Sequence, residues 1–167
     1  MSFRALTLLI LVFIGIKANA AEIFNTLHQK SKDIGNKAFT EHNYNPGIIK
    51  HIVIFKYKSS VTTEQRNEVV KRFLQLRDSK RPGNNSPYIL EIITGSQNSG
   101  EKANMGFEQA FIVTFATEGD RNYYVGTPVV EDPTYYDEQH AEFKKFAGPL
   151  LADSNGVLVF DFKEIKN

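Results

Sequence analysis

The sequence predicts an α+β subunit with the split β-α-β-β-α-β order of ferredoxin-like folds, and three observations predict it. Four short runs are rich in β-branched and aromatic residues, as half-buried strands are. Between them lie two stretches whose apolar residues recur at helical spacing, and the alternation follows the split βαβ pattern. The length, 167 residues with 41% hydrophobic content, supplies one core and not two.

The chain opens with residues that read as an address. Arg4 precedes a twelve-residue apolar run, Ala5 to Ile16, and small residues at Ala18 and Ala20 suit the −3 and −1 positions of a signal peptidase site. Residues 1–20 are therefore expected to be a signal peptide cleaved after Ala20, giving a secreted or periplasmic protein. The alternative is a membrane anchor, but crossing the hydrocarbon core takes about twenty apolar residues. Residues 21–47 are polar, weakly periodic and closed by Asn45-Pro46-Gly47; they read as an extension or linker, with a short helix at Ile23–His28. The domain proper is expected over residues 48–167.

The first strand is Ile48 to Lys58. Thr62-x-x-Gln65 is a capping box, in which the hydroxyl and the amide satisfy free N–H groups at a helix start. The helix it opens should reach about Arg77, with Val69, Val70, Phe73 and Leu74 on one face. Residues 79–87 are a loop by composition, Tyr88 to Thr94 a second strand, residues 95–106 a polar turn, and Phe107 to Phe115 a third strand. A short helix follows at Glu118–Val125, then an irregular stretch, a helix over Tyr135–Leu151 and a last strand over Gly156–Phe162.

Strand parity carries functional weight. Ile49, His51, Val53, Phe55 and Tyr57 point to one face of the first strand, Ile52 and Ile54 to the other, and the third and last strands are likewise apolar on both sides. Two helices cover one face only, so the second invites a partner, and a homodimer whose sheets close a barrel is expected. The alternative is that residues 21–47 fold over that face.

Composition removes several classes of chemistry. The chain has no Cys, so disulfides, thiolate metal sites and Cys nucleophiles are out. The formal charge of +1 becomes −1 once Arg4 and Lys17 leave with residues 1–20, and neither value gives the basic face that nucleic acid requires. No HExxH, GxSxG, P-loop or GxGxxG motif occurs. No metal, no cofactor and no nucleic-acid partner are expected.

Of four His, His28 and His42 fall in the polar extension and read as solvated. His140 shares a helical face with Tyr136, Phe143, Ala147 and Leu150, and His51 sits mid-strand among apolar neighbours. Each reads either as a core imidazole held by one hydrogen bond or, with Tyr124 or Tyr136 in reach, as part of a proton-transfer site. Asp161 is a charge in an apolar strand, either paired with a Lys or marking the strand end. Asn84-Asn85-Ser86 is formally a glycosylation sequon.

The run Lys50-His51-Ile52-Val53-Ile54-Phe55-Lys56-Tyr57-Lys58 resembles the opening strand of the stress-responsive A/B barrel family. Gly95-x-x-Asn98-Ser99-x-Glu101-x-x-Asn104-x-Gly106-Phe107 is similar to the hairpin of its bacterial members. Tyr124, Asp132-Pro133, His140-x-x-Phe143, Pro149 and Val159-Phe160-Asp161-Phe162 follow in the family's order, so the resemblance spans roughly residues 48–163. It implies a dimeric α+β barrel. Through a plant member that cyclises a polyketide without cofactor, it also implies Tyr124, His140 and His51 as site residues. The sequence departs from the family's short His-Pro-x-His: Asp132 replaces the first His, and the connection before His140 is longer.

Two functions follow. One is a pocket walled by Phe55, Tyr57, Tyr136 and Phe143 with His51 and His140, binding a small hydrophobic molecule. The other is a cofactor-independent lyase or cyclase, with His140 as general base and Tyr124 as the phenol that orients the substrate. A third reading makes the fold an assembly module in which the His residues only pack.

Overall fold

The computed structural model describes residues 3–165, with side chains from residue 20 onward. The side chains of residues 1–19, on which the signal-peptide reading rests, lie outside the described residues. The elements are α1 (Phe3–Phe39), β1 (Pro46–Phe55), α2 (Thr63–Gln75), β2 (Ile89–Ser96), β3 (Gln109–Thr117), α3 (Glu118–Val125), α4 (Glu138–Ala147) and β4 (Val157–Lys163). Three single turns of 3₁₀-helix, Leu76–Asp78, Pro133–Tyr135 and Gly148–Leu150, extend or flank the helices. Among the described residues no helix is long and apolar enough to cross a membrane.

The four strands form one antiparallel sheet in the order β2-β3-β1-β4, which is the ferredoxin-like arrangement the sequence predicts. Parity works as expected: Ile49, His51, Val53 and Phe55 are buried under the helices, while Lys50, Ile52 and Ile54 face the other way. The capping box at Thr62 and Gln65 is formed in both directions, with Gln65 N donating to Thr62 Oγ1 and Thr62 N to Gln65 Oε1. From that fixed start α2 buries Val69 and Phe73. Phe73 stacks on Phe111 with centroids 3.9 Å apart and meets Phe143 of α4 edge-on. Each such side chain taken out of water contributes about 1.5–3 kcal/mol, and this aromatic cluster fixes α2 and α4 on the sheet.

The last helix is shorter than its apolar pattern predicts. Asp137 caps α4 by accepting from Gln139 N and His140 N, and Pro149 turns its end into 3₁₀. Residues 23–28 are part of a much longer helix than the one expected there. α1 runs to Phe39 and is broken only at Gly35, whose φ of 81° and ψ of 149° are open to glycine and strained for any other residue. Its periodicity is carried by Ala20, Ile23, Leu27 and Ser31, a spacing that the intervening polar residues conceal in a hydropathy reading.

The end of the extension is built into the domain. Phe39 is 1% exposed, the Asn122 side-chain amide donates to the Phe39 carbonyl (2.9 Å), and Gly119 N donates to Tyr44 O (3.1 Å). The extension thus packs beside α3 on the helix side of the sheet. The outer face stays exposed at Ile93, Phe160 and Phe162. Register aligns Ile93, Ile112, Ile52 and Phe160 into one apolar row across all four strands.

Candidate functional site

His51 and Asp161 lie in register on β1 and β4, both on the helix side of the sheet. The His51 ring is buried, and its Nδ1 sits 2.6 Å from Asp161 Oδ1. Arg121, projecting from α3, donates from Nη1 to the other oxygen, Oδ2, at 2.5 Å. Burial by itself would raise the Asp161 pKa; the hydrogen bond and charge of His51, with the Arg121 guanidinium, outweigh it and hold the carboxyl below its usual range. An ionised carboxylate only accepts, so Nδ1 of His51 carries the hydrogen. In the neutral ring Nε2 is then a bare acceptor, the tautomer that a base or a hydrogen-bonding anchor requires.

A cavity of about 530 Å³ opens beside this pair. Its polar groups are confined to one patch formed by His51, Asp161, Arg121 and Asn122. The rest of the lining is apolar: Val125 at the end of α3, Gly126 and Val129 after it, Val159 and Phe160 of β4, and Ala20, Ile23, Leu27 and Phe39 of α1. Arg121 Nε donates to Asn122 Oδ1 (2.9 Å), and the same Asn122 holds the Phe39 carbonyl. One hydrogen-bonded chain therefore links the extension to the imidazole.

Tyr124 and His140 lie directly behind His51. The Tyr124 ring meets His51 edge-on at 5.6 Å and stacks on His140 at 3.8 Å, within 15° of parallel. His140 Nδ1 donates to the Tyr124 backbone carbonyl at 2.6 Å. Burial pushes the His140 pKa down to about 3; the nearby Lys144 and His51 charges act the same way, and the carbonyl contact opposes them. The Tyr124 hydroxyl is buried with no partner among the described residues, and burial raises its pKa well above the ordinary value. Neither residue lines the cavity. The two rings lie face to face, not across a pocket.

The long connection after α3 sets that geometry. Gly126 turns at φ 61°, where a Cβ would stand 2.7 Å from that of Tyr136, and Asp137 N returns to bond Tyr123 O. Asp132 caps the turn at Pro133–Tyr135 by accepting from Thr134 N. Asp137 is held in turn by the Tyr88 hydroxyl.

Of the aromatic wall expected from the sequence, Phe55, Tyr57 and Phe143 belong to the core, and Tyr136 packs on Gly126; none of the four lines the cavity over His51. The Asp161 partners are His51 and Arg121, not a Lys. His42, expected to be solvated, has an exposed ring that nonetheless binds fully buried Asp120, which also receives Arg81. His28 stacks on Phe24. Among the described residues no group of three or more His or carboxylate side chains is placed to hold a metal. Arg121, Asn122 and the α1 side chains are the site residues that sequence reasoning missed; the 20-23-27 spacing is a signal for the α1 side chains alone, and nothing local marks Arg121 or Asn122.

A four-stranded antiparallel sheet with helices on one side and a buried His on its central strand defines a ferredoxin-like α+β subunit. Over residues 49–164 the chain matches the stress responsive A/B barrel domain, and it belongs to that family. No curated protein matches it. Among solved structures it is similar to the hydroxynitrile lyase of Passiflora edulis, with 21% identity over 73% of this chain and 97% of that one and a TM-score of 0.55. An Arabidopsis thaliana protein shares 23% identity over 71% and 97%, with a TM-score of 0.54. A dimeric ferredoxin-like protein of unknown function from Jannaschia shares 17% over 71% and 100%, with a TM-score of 0.52. At these identities the likeness is one of fold.

Proposed function

We propose that this chain is an exported homodimeric A/B barrel protein that binds a small, largely apolar molecule in the cavity over His51. The carrying observation is the cavity's asymmetry: one polar patch, built on the His51–Asp161 pair, faces walls that are otherwise apolar. Such a lining takes a ligand with a hydrophobic body and one oxygen that hydrogen-bonds the imidazole. Export is supported by the apolar run at residues 5–16 and by Ala18 and Ala20. Dimerisation is supported by the exposed outer row at Ile93 and Phe160 and by the dimeric state of the Jannaschia structure. Native mass spectrometry of the protein purified without denaturant tests the binding: a retained small molecule, reduced in His51→Ala, is expected, and an empty dimer unaffected by the substitution is the contrary result.

A second reading, proton transfer in a cofactor-independent lyase, is favoured by one observation: a carboxylate fixes the His51 tautomer. In that reading His51 is the base, because His140 is too weakly basic and does not reach the cavity. Tyr124 then serves as packing and not as the orienting phenol. The activity in the name of the Passiflora neighbour supplies the assay: cyanide release from mandelonitrile, with His51→Ala as control. Release at the uncatalysed rate would end the lyase reading for this substrate class and leave binding in place.

A further inference from the structure

The family match begins at residue 49, yet the cavity has a wall that lies before it. We propose that the α1 segment over residues 20–34 is a cover for the His51 cavity, hinged at Gly35, and that it determines which molecules the site accepts. The inference rests on the reading of that cavity as a ligand site.

Three observations carry it. First, Ile23 and Leu27 line the cavity, and both lie beyond Ala20, so this wall survives cleavage there. Second, residues 39–45 are anchored. Asn122 holds the Phe39 carbonyl, Glu118 N and Gly119 N donate to Asn45 O and Tyr44 O, and His42 pairs with Asp120. Gly119 lies so close that a Cβ there would stand 1.8 Å from Glu41 O. Third, the break falls between the anchor and the wall. Gly35 has a backbone only glycine adopts without strain and open space around its Cβ position, and Ser31 Oγ bonds Asn36 Oδ1 across it. Apart from buried Ser31, the covering segment is lightly held, with Ile23 56% and Phe24 37% exposed. An anchored base, a single flexible joint and a loosely packed arm over a cavity are the parts of a movable cover. Its apolar underside adds hydrophobic contact to the ligand's body and leaves the imidazole to the ligand's oxygen.

The test uses the full chain, N-phenyl-1-naphthylamine as probe, and modification of His51 by diethylpyrocarbonate read by mass spectrometry, with exposed His42 as internal standard. Leu27→Glu should weaken probe binding about tenfold or more, since it places a charge in the apolar wall. Gly35→Ala, which favours a straight helix, should raise the His51 modification rate several-fold relative to His42. Val159→Asp, at an exposed position of β4 that lines the cavity, is the control for the cavity itself. If Val159→Asp weakens binding while both α1 variants leave probe affinity and His51 reactivity unchanged, the cover is overturned and the cavity stands. If Val159→Asp also changes nothing, the cavity reading fails and the cover with it. Circular dichroism on each variant separates these outcomes from unfolding; Ile23→Glu replaces Leu27→Glu should that variant lose its fold.

Discussion

His51 Nδ1 and Asp161 Oδ1 are 2.6 Å apart on neighbouring strands, with the Asp161 carboxylate held from its other side by Arg121. The strand residue that parity alone marks as a core imidazole is thus half of a charge-assisted pair at the edge of a cavity. The pair fixes the ring's tautomer, leaving Nε2 as the acceptor of the neutral imidazole.

Asp161→Asn tests that pair through stability. A carboxyl whose pKa is lower in the folded chain stabilises the native state above its unfolded pKa near 3.8, and that contribution is lost as pH falls through the folded value. The variant should cost about 1–3 kcal/mol at pH 7, measured by urea unfolding. The cost should shrink as pH drops below about 4, because the wild type then loses the same charge.

His140 titrates in the opposite sense to an ion-paired histidine. Its proton affinity is lower folded than unfolded, so the native state binds fewer protons between the unfolded pKa near 6.5 and the folded value of about 3. Stability should therefore decline as pH is lowered across that window. His140→Leu removes the hydrogen bond to the Tyr124 carbonyl, at a cost of about 1 kcal/mol at pH 7, but should flatten the decline. The urea midpoints of the two proteins should converge between pH 7 and pH 4.5; parallel midpoints would mean that His140 is charged in the native state.

Much of the fold was legible because its signals are local. The capping box at Thr62 and Gln65, the strand parity around His51 and the apolar stripe of α2 each lie within one element and need no knowledge of the rest. What stayed hidden depends on contacts between distant parts of the chain. His51 meets Asp161 through β1–β4 register, across 110 residues of sequence. Docking of the extension depends on Gly119 and Asn122, which read as an ordinary helix start until Glu41 and Phe39 are placed against them. Tyr124 and His140 were found as neighbours, but the sequence does not reveal that their rings stack. The long 126–136 connection fixes that arrangement through Gly126 and Asp137.

Gly119→Ala should release the extension. The methyl group would collide with the Glu41 carbonyl, a backbone atom that cannot turn aside, at a cost of about 1–3 kcal/mol. Limited proteolysis should then cut within residues 20–45 about ten-fold faster or more, while a fragment covering residues 49–164 persists. Uniform loss of the whole chain would show that the extension and the domain unfold as one unit.

Phe160→Asp addresses the outer face. Phe160 is 59% exposed in the single chain and ends the apolar row through Ile52, Ile112 and Ile93. A charge there costs little in a monomer and a great deal in a buried interface. Light scattering after size exclusion should show a dimer for the wild type and a monomer for the variant, with unchanged circular dichroism. A wild type already monomeric at micromolar concentration would refute the dimer.

Tyr124→Phe separates packing from chemistry at the most deeply buried residue of the site. The Tyr124 hydroxyl has no hydrogen-bond partner among the described residues, and the ring is fully enclosed by Phe115, His51 and His140. A buried hydroxyl without a partner pays its desolvation penalty in the native state, so removing the oxygen should leave stability unchanged or raise it by up to about 1–2 kcal/mol. Probe binding should not change, because Tyr124 lines no part of the cavity. A phenol that oriented a substrate carbonyl would behave differently: stability would be similar, but turnover in any lyase assay would fall by about 10²-fold or more. Stability gained with function untouched places Tyr124 in the core, and turnover lost at unchanged stability would return it to the chemistry.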